Sequence, residues 1–65
     1  MKKIKKALQY VITKHPEVIG VEFDRSGAWS YFDKDRNYPT FDDSINVDIL
    51  EEASEEADWP STHYV

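Results

Sequence analysis

The chain has no cysteine. Disulfide staples and cysteine-based zinc sites are therefore excluded, although they are common reinforcements of domains this small. Glycine occurs only at positions 20 and 27, too sparsely for a glycine-rich phosphate loop. No apolar run approaches the roughly 18 residues that a membrane helix needs. Met1-Lys2-Lys3 begins like the n-region of a signal peptide, but Lys5 and Lys6 break the pattern and no apolar h-region appears. The expectation is a soluble cytoplasmic protein, with which the missing cysteine is consistent. Basic residues also run out early: after Arg36 there is no Lys or Arg.

What is present fits one small domain of 65 residues. A chain of this size buries only roughly 60% of its unfolded surface, so its stability margin is thin. With disulfides excluded, self-association as a homodimer becomes a real option. A hydrophobic content of 40% with nine aromatics is enough for a core and is not a disordered composition.

The net charge of −5 hides a sorted distribution. Residues 1–16 carry Lys2, Lys3, Lys5, Lys6 and Lys14 and no acid, a head of +5. The last stretch holds Asp42, Asp43, Asp48, Glu51, Glu52, Glu55, Glu56 and Asp58, a tail of −8. Such asymmetry marks a partner or nucleic-acid surface, or two helices that pair within one molecule or between copies.

Residues 3–14 read as a helix, because Ile4, Ala7, Leu8, Val11 and Ile12 fall on one arc and the five lysines on the other. His15-Pro16 ends it. Residues 18–24 alternate, with Ile19, Val21 and Phe23 on one face and Gly20, Glu22 and Asp24 on the other. The aromatic stretch 28–33 reads as a second strand, joined to the first by a hairpin. A three-residue loop, Arg25-Ser26-Gly27, is favoured because it puts glycine at the left-handed position of a type I turn with a G1 bulge. Phe23 then faces Trp29 and Val21 faces Tyr31, whereas a two- or four-residue loop would turn Trp29 and Tyr31 to the opposite face. Residues 41–47 stay open between strand and coil: Phe41, Ile45 and Val47 would share a face that Asp43 breaks.

Residues 48–58 read as a second helix capped by Asp48, with Glu51 and Glu52 in its first turn. Ile49, Leu50, Ala53 and Ala57 form its apolar arc, and acids cover the rest. Trp59-Pro60 stops it. The domain is expected to span 1–60, leaving 61–65 as a tail that frays unless Trp59 and Tyr64 pack. The expected fold is a small two-layer α+β domain of αββ(β)α order, with N- and C-terminal amphipathic helices on one face of a short antiparallel sheet.

Candidate chemistry is sparse. Asp33, Asp35 and Asn37 match the first ligand positions of an EF-hand loop, but Tyr38 stands where glycine is needed and Ser44 where the bidentate glutamate should be. A metal site is therefore not expected, and neither is a cofactor. Thirteen acids make any carboxylate pair uninformative, and neither His15 nor His63 sits in triad spacing, so no catalytic residue is assigned. The lysine helix could meet phosphates and Trp29, Tyr31 and Phe32 could stack on bases, but the net negative charge argues against direct nucleic-acid binding.

The leading expectation is a small acidic non-enzymatic protein–protein interaction or regulatory module with an unknown protein partner. Its candidate partner-binding residues are Trp29, Tyr31 and Trp59 as apolar anchors and Glu51, Glu52, Glu55 and Glu56 as the electrostatic face. The alternative is an acidic polyanion mimic, a DNA decoy that inhibits a nucleic-acid-binding protein.

Overall fold

A computed structural model describes residues 2–39 and 44–65. The element order is α1 (Lys2–Lys14), β1 (Val18–Phe23), β2 (Trp29–Asp33), α2 (Val47–Glu56) and β3 (Ser61–Tyr64). The three strands form one antiparallel sheet in the order β2-β1-β3. The α+β class is as expected, but α2 is not the C-terminal element. The segment read as a tail forms β3, which pairs with the free edge of β1: Gly20 faces Tyr64 and Phe23 faces Ser61. Both residues on which the tail depended are packed. Trp59 lies against the hairpin turn, and Tyr64 lies edge-on to Phe32 at 5.7 Å between ring centroids.

The open question at 41–47 resolves in part. Residues 41–43 lie outside the described residues, 44–46 form no strand, and Val47 opens α2. Asn46, not Asp48, is the N-cap: its side-chain oxygen accepts the Asp48 N–H at 3.1 Å. Asn satisfies an orphan N–H here as well as Asp would, and Asp48 becomes the acid of the first turn.

The hairpin has the favoured three-residue loop. Phe23 pairs with Trp29 and Val21 with Tyr31. The Asp24 N–H donates to the Ala28 carbonyl, the Gly27 N–H donates to the Asp24 carbonyl, and Gly27 has φ +85°. The alternation along β1 is not regular, however. A bulge between Val18 and Gly20 turns Val18 into the core and leaves Ile19 37% exposed, so Ile19 does not share the face of Val21 and Phe23. An extra residue in a strand shifts side-chain alternation by one, and period-2 counting cannot see it.

One core cluster gathers Ile4, Ala7, Leu8 and Val11 of α1, Leu50 and Ala53 of α2, Val18, Val21 and Phe23 of β1, Tyr31 of β2, and Ile45. The helices run antiparallel. At one end Glu56 accepts the Lys3 N–H at 3.2 Å; at the other the Tyr10 hydroxyl donates to the Ser44 carbonyl and accepts the Asn46 N–H. The basic head and the acidic tail are therefore neighbours in one molecule. Glu56 also offers an acceptor to an N–H of the first turn of α1, where no intrahelical partner exists.

A second apolar cluster lies on the other side of the sheet. Phe32 is fully buried, yet outside the main core. It rests on Gly20, where a Cβ would come within 2.7 Å of the ring. Tyr38 and Tyr64 meet it edge-on, and the Arg36 guanidinium lies 4.2 Å from its ring centre. Burying one Phe side chain contributes about 1.5–3 kcal/mol, an appreciable addition to a thin core.

Candidate functional site

The expected partner-binding residues are far apart in sequence, and the fold brings four of them together. Trp29, Trp59, Glu51 and Glu55 line one shallow groove of about 410 Å³ between the hairpin turn and α2, with Ser26, Gly27, Ala28 and Ser54 completing its walls. Glu51 and Glu55 are four residues apart on α2 and so share a helix face.

Each wall is fixed by identifiable contacts. The buried Ser54 hydroxyl donates to the Gly27 carbonyl at 2.6 Å, which ties the hairpin turn to α2. The Trp59 indole N–H donates to the Ser54 carbonyl at 2.9 Å, which folds the ring back over the C-terminal end of the helix. That ring lies so close to Gly27 that a Cβ there would meet it at 2.5 Å. Trp29 stacks on Tyr31 with ring centroids 6.4 Å apart and planes 11° from parallel. Trp59 is still 50% exposed. The groove therefore presents one half-buried and one half-exposed indole on a supported frame.

The other expected residues lie elsewhere. Tyr31 is only 4% exposed and supports Trp29 from beneath. Glu52 is exposed on α2 outside the groove. Glu56 is turned towards Lys3 at the start of α1. Sequence reasoning missed Ser54, a polar residue on the apolar arc of α2, and that unusual position was the available signal.

The acids differ in how far the fold uses them. Asp24 Oδ1 accepts the Ser26 N–H, the Ser26 hydroxyl and the Ala28 N–H. The Ser26 hydroxyl and N–H, with smaller help from the Ala28 and Gly27 N–H groups, hold this carboxyl below its ordinary value of 3.8. Asp33 Oδ1 accepts the Asp35 and Asn37 N–H groups, so the residues that resemble a calcium loop form a self-satisfied turn. Glu22 accepts from Tyr38, Ser30 and Arg36. Its hydrogen bond raises the Tyr38 phenol above 10.0. The carboxylates of Glu51 and Glu55, by contrast, are exposed and make no hydrogen bond or ion pair among the described residues.

The fold also creates a contact that sequence spacing did not suggest: Ser61 Oγ and His63 Nε2 are 3.0 Å apart. The Ser61 hydroxyl donates to the Asp58 carbonyl, which commits its proton and leaves His63 as the donor. In this arrangement the imidazole does not accept the Ser61 proton.

A second cavity of about 420 Å³ also borders Trp29, with Glu22, Asp24, Pro60 and Thr62 in its lining. Its two carboxylates are those already bound by the fold, so the Trp–Glu groove is the better candidate. Among known proteins, no family model, no curated protein and no solved structure matches the chain. The reading of the site therefore rests on its own geometry. No helix among the described residues is long and apolar enough to cross a membrane.

Proposed function

We propose that the chain is a small non-enzymatic protein–protein interaction or regulatory module, acting in the cytoplasm, and that the groove between α2 and the hairpin turn is its contact surface. The observation that carries this reading is the convergence of Trp29, Trp59, Glu51 and Glu55 on one groove. A half-exposed and a half-buried tryptophan on a rigid support suit binding hot spots, because they bury a large area while losing little side-chain freedom. A homodimer using the same surface is one form that this module can take.

The polyanion-mimic reading draws on the exposed Glu51, Glu52 and Glu55. It is the weaker one, because the exposed lysines of α1 lie on the adjacent antiparallel helix and oppose the field of those acids. Affinity capture and sedimentation equilibrium of Trp59→Ala beside Glu51→Lys/Glu55→Lys separate the two. The module reading expects the tryptophan change to weaken partner capture or self-association more than the charge reversal does. Loss on charge reversal alone, with strong salt dependence and an unaffected Trp59→Ala, would favour the mimic.

A further inference from the structure

We propose that the groove recognises an arginine side chain presented on a segment of the partner protein. The proposal rests on the contact-surface reading above and adds the chemistry of the occupant. Two features of the groove point to a cation. Its apolar lining includes two indoles, the aromatic groups whose faces attract cations most strongly. Its rim carries Glu51 and Glu55, carboxylates that the fold has not drawn into any hydrogen bond or ion pair among the described residues.

Arginine fits this combination better than lysine. Its planar guanidinium stacks on aromatic faces and is weakly hydrated, and its fork of N–H donors can reach carboxylates while the plane rests on a ring. The molecule already uses that chemistry at the outer face of the sheet, where the Arg36 guanidinium lies over Phe32 and reaches Glu22 at 3.4 Å. The groove combines aromatic and carboxylate groups again, with no Lys or Arg among the described residues of its lining.

The supports of the groove also suit a binding site. Gly27 lets the Trp59 ring lie against the turn, and Ser54 fixes both the turn and the indole N–H. Little ordering is left for the ligand to impose. One arginine side chain on such a surface should bind only weakly, with a dissociation constant on the order of 1–10 mM for an isolated amino-acid derivative.

The test is a nitrogen-resolved NMR titration of the two tryptophan indole N–H signals with Nα-acetyl-arginine amide, beside Nα-acetyl-citrulline amide, which has nearly the same shape and no charge. Trp59→Phe assigns the signals. Saturable shifts of both indoles with the arginine compound, absent with citrulline, are the expected result. Glu51→Gln/Glu55→Gln, which changes only exposed side chains, should weaken binding by at least about tenfold. Equal shifts with citrulline, no saturable shift, or unchanged binding by the double variant would overturn the assignment of arginine. If the arginine compound fails while Trp59→Ala still weakens partner capture, only the occupant is wrong; if Trp59→Ala leaves capture intact, the contact-surface reading itself falls.

Discussion

Gly27→Ala should be among the most damaging single-methyl substitutions in the molecule. Two separate costs arise. The backbone at Gly27 has φ +85°, and placing an L residue in left-handed backbone costs about 1–2 kcal/mol. The added Cβ would also lie 2.5–2.7 Å from three atoms of the Trp59 ring. No aromatic ring tolerates that approach, so Trp59 must swing away and give up its 2.9 Å hydrogen bond to Ser54, a net loss of about 0.5–1.5 kcal/mol. Together these give about 1.5–3.5 kcal/mol, a sizeable part of the stability of a small domain. Urea unfolding followed by far-ultraviolet circular dichroism measures it, and a double-mutant cycle with Trp59→Ala divides it. In the Trp59→Ala background only the backbone cost remains, so Gly27→Ala should be about 1 kcal/mol milder there. A cost below about 0.5 kcal/mol, or the same cost in both backgrounds, would refute the packing of Trp59 on the turn.

Ser54→Ala removes the hydroxyl that bridges α2 and the hairpin turn and leaves the Gly27 carbonyl without that donor; a loss of about 1–2 kcal/mol in urea unfolding is expected, and a change within about 0.3 kcal/mol would show that the bridge contributes nothing. Asp24 gives the acid limb of the stability curve a definite sign. Its folded-state carboxyl lies below the unfolded value of 3.8, chiefly through the Ser26 hydroxyl, so its contribution is complete above that value and is lost as pH falls through the folded one. Asp24→Asn should flatten stability against pH in that window; an unchanged acid limb would remove Asp24 from the account.

Much of this architecture is legible in the residues, and the failures have physical causes. Both helices are encoded in 3.6-residue periodicity, and Gly27 selects the correct hairpin loop because glycine enters left-handed backbone at no steric cost. β3 escaped because Ser61-Thr62-His63-Tyr64 has no apolar alternation: as an edge strand it is held by pairing with β1 rather than by a buried face. The bulge at Ile19 escaped because it is a property of two strands together. At the candidate site, the aromatic and acidic residues could be chosen from composition and charge sorting. Their grouping could not, since it depends on Trp59 folding back to Gly27 and on which helix face Glu51 and Glu55 share. The same geometry separates Tyr31, Glu52 and Glu56 from the groove.

The turns that begin at Asp24 and Asp33 form an internal control for why Gly27 is glycine. In each an aspartate Oδ1 accepts the N–H groups two and four residues on, its carbonyl accepts the N–H three residues on, and its own N–H donates to the carbonyl four residues on. Each places its fourth residue at positive φ: Gly27 at 85° and Arg36 at 62°. Arginine is accepted in the second turn, so left-handed backbone alone does not require glycine. There the side chain offsets the conformational cost by lying over Phe32 and reaching Glu22. In the first turn a side chain would occupy the space taken by Trp59. Glycine at 27 is thus demanded by the tryptophan as well as by the backbone, and the tryptophan so placed forms one wall of the groove. The same turn geometry serves stability where it carries arginine, and it builds a candidate binding surface where it carries nothing.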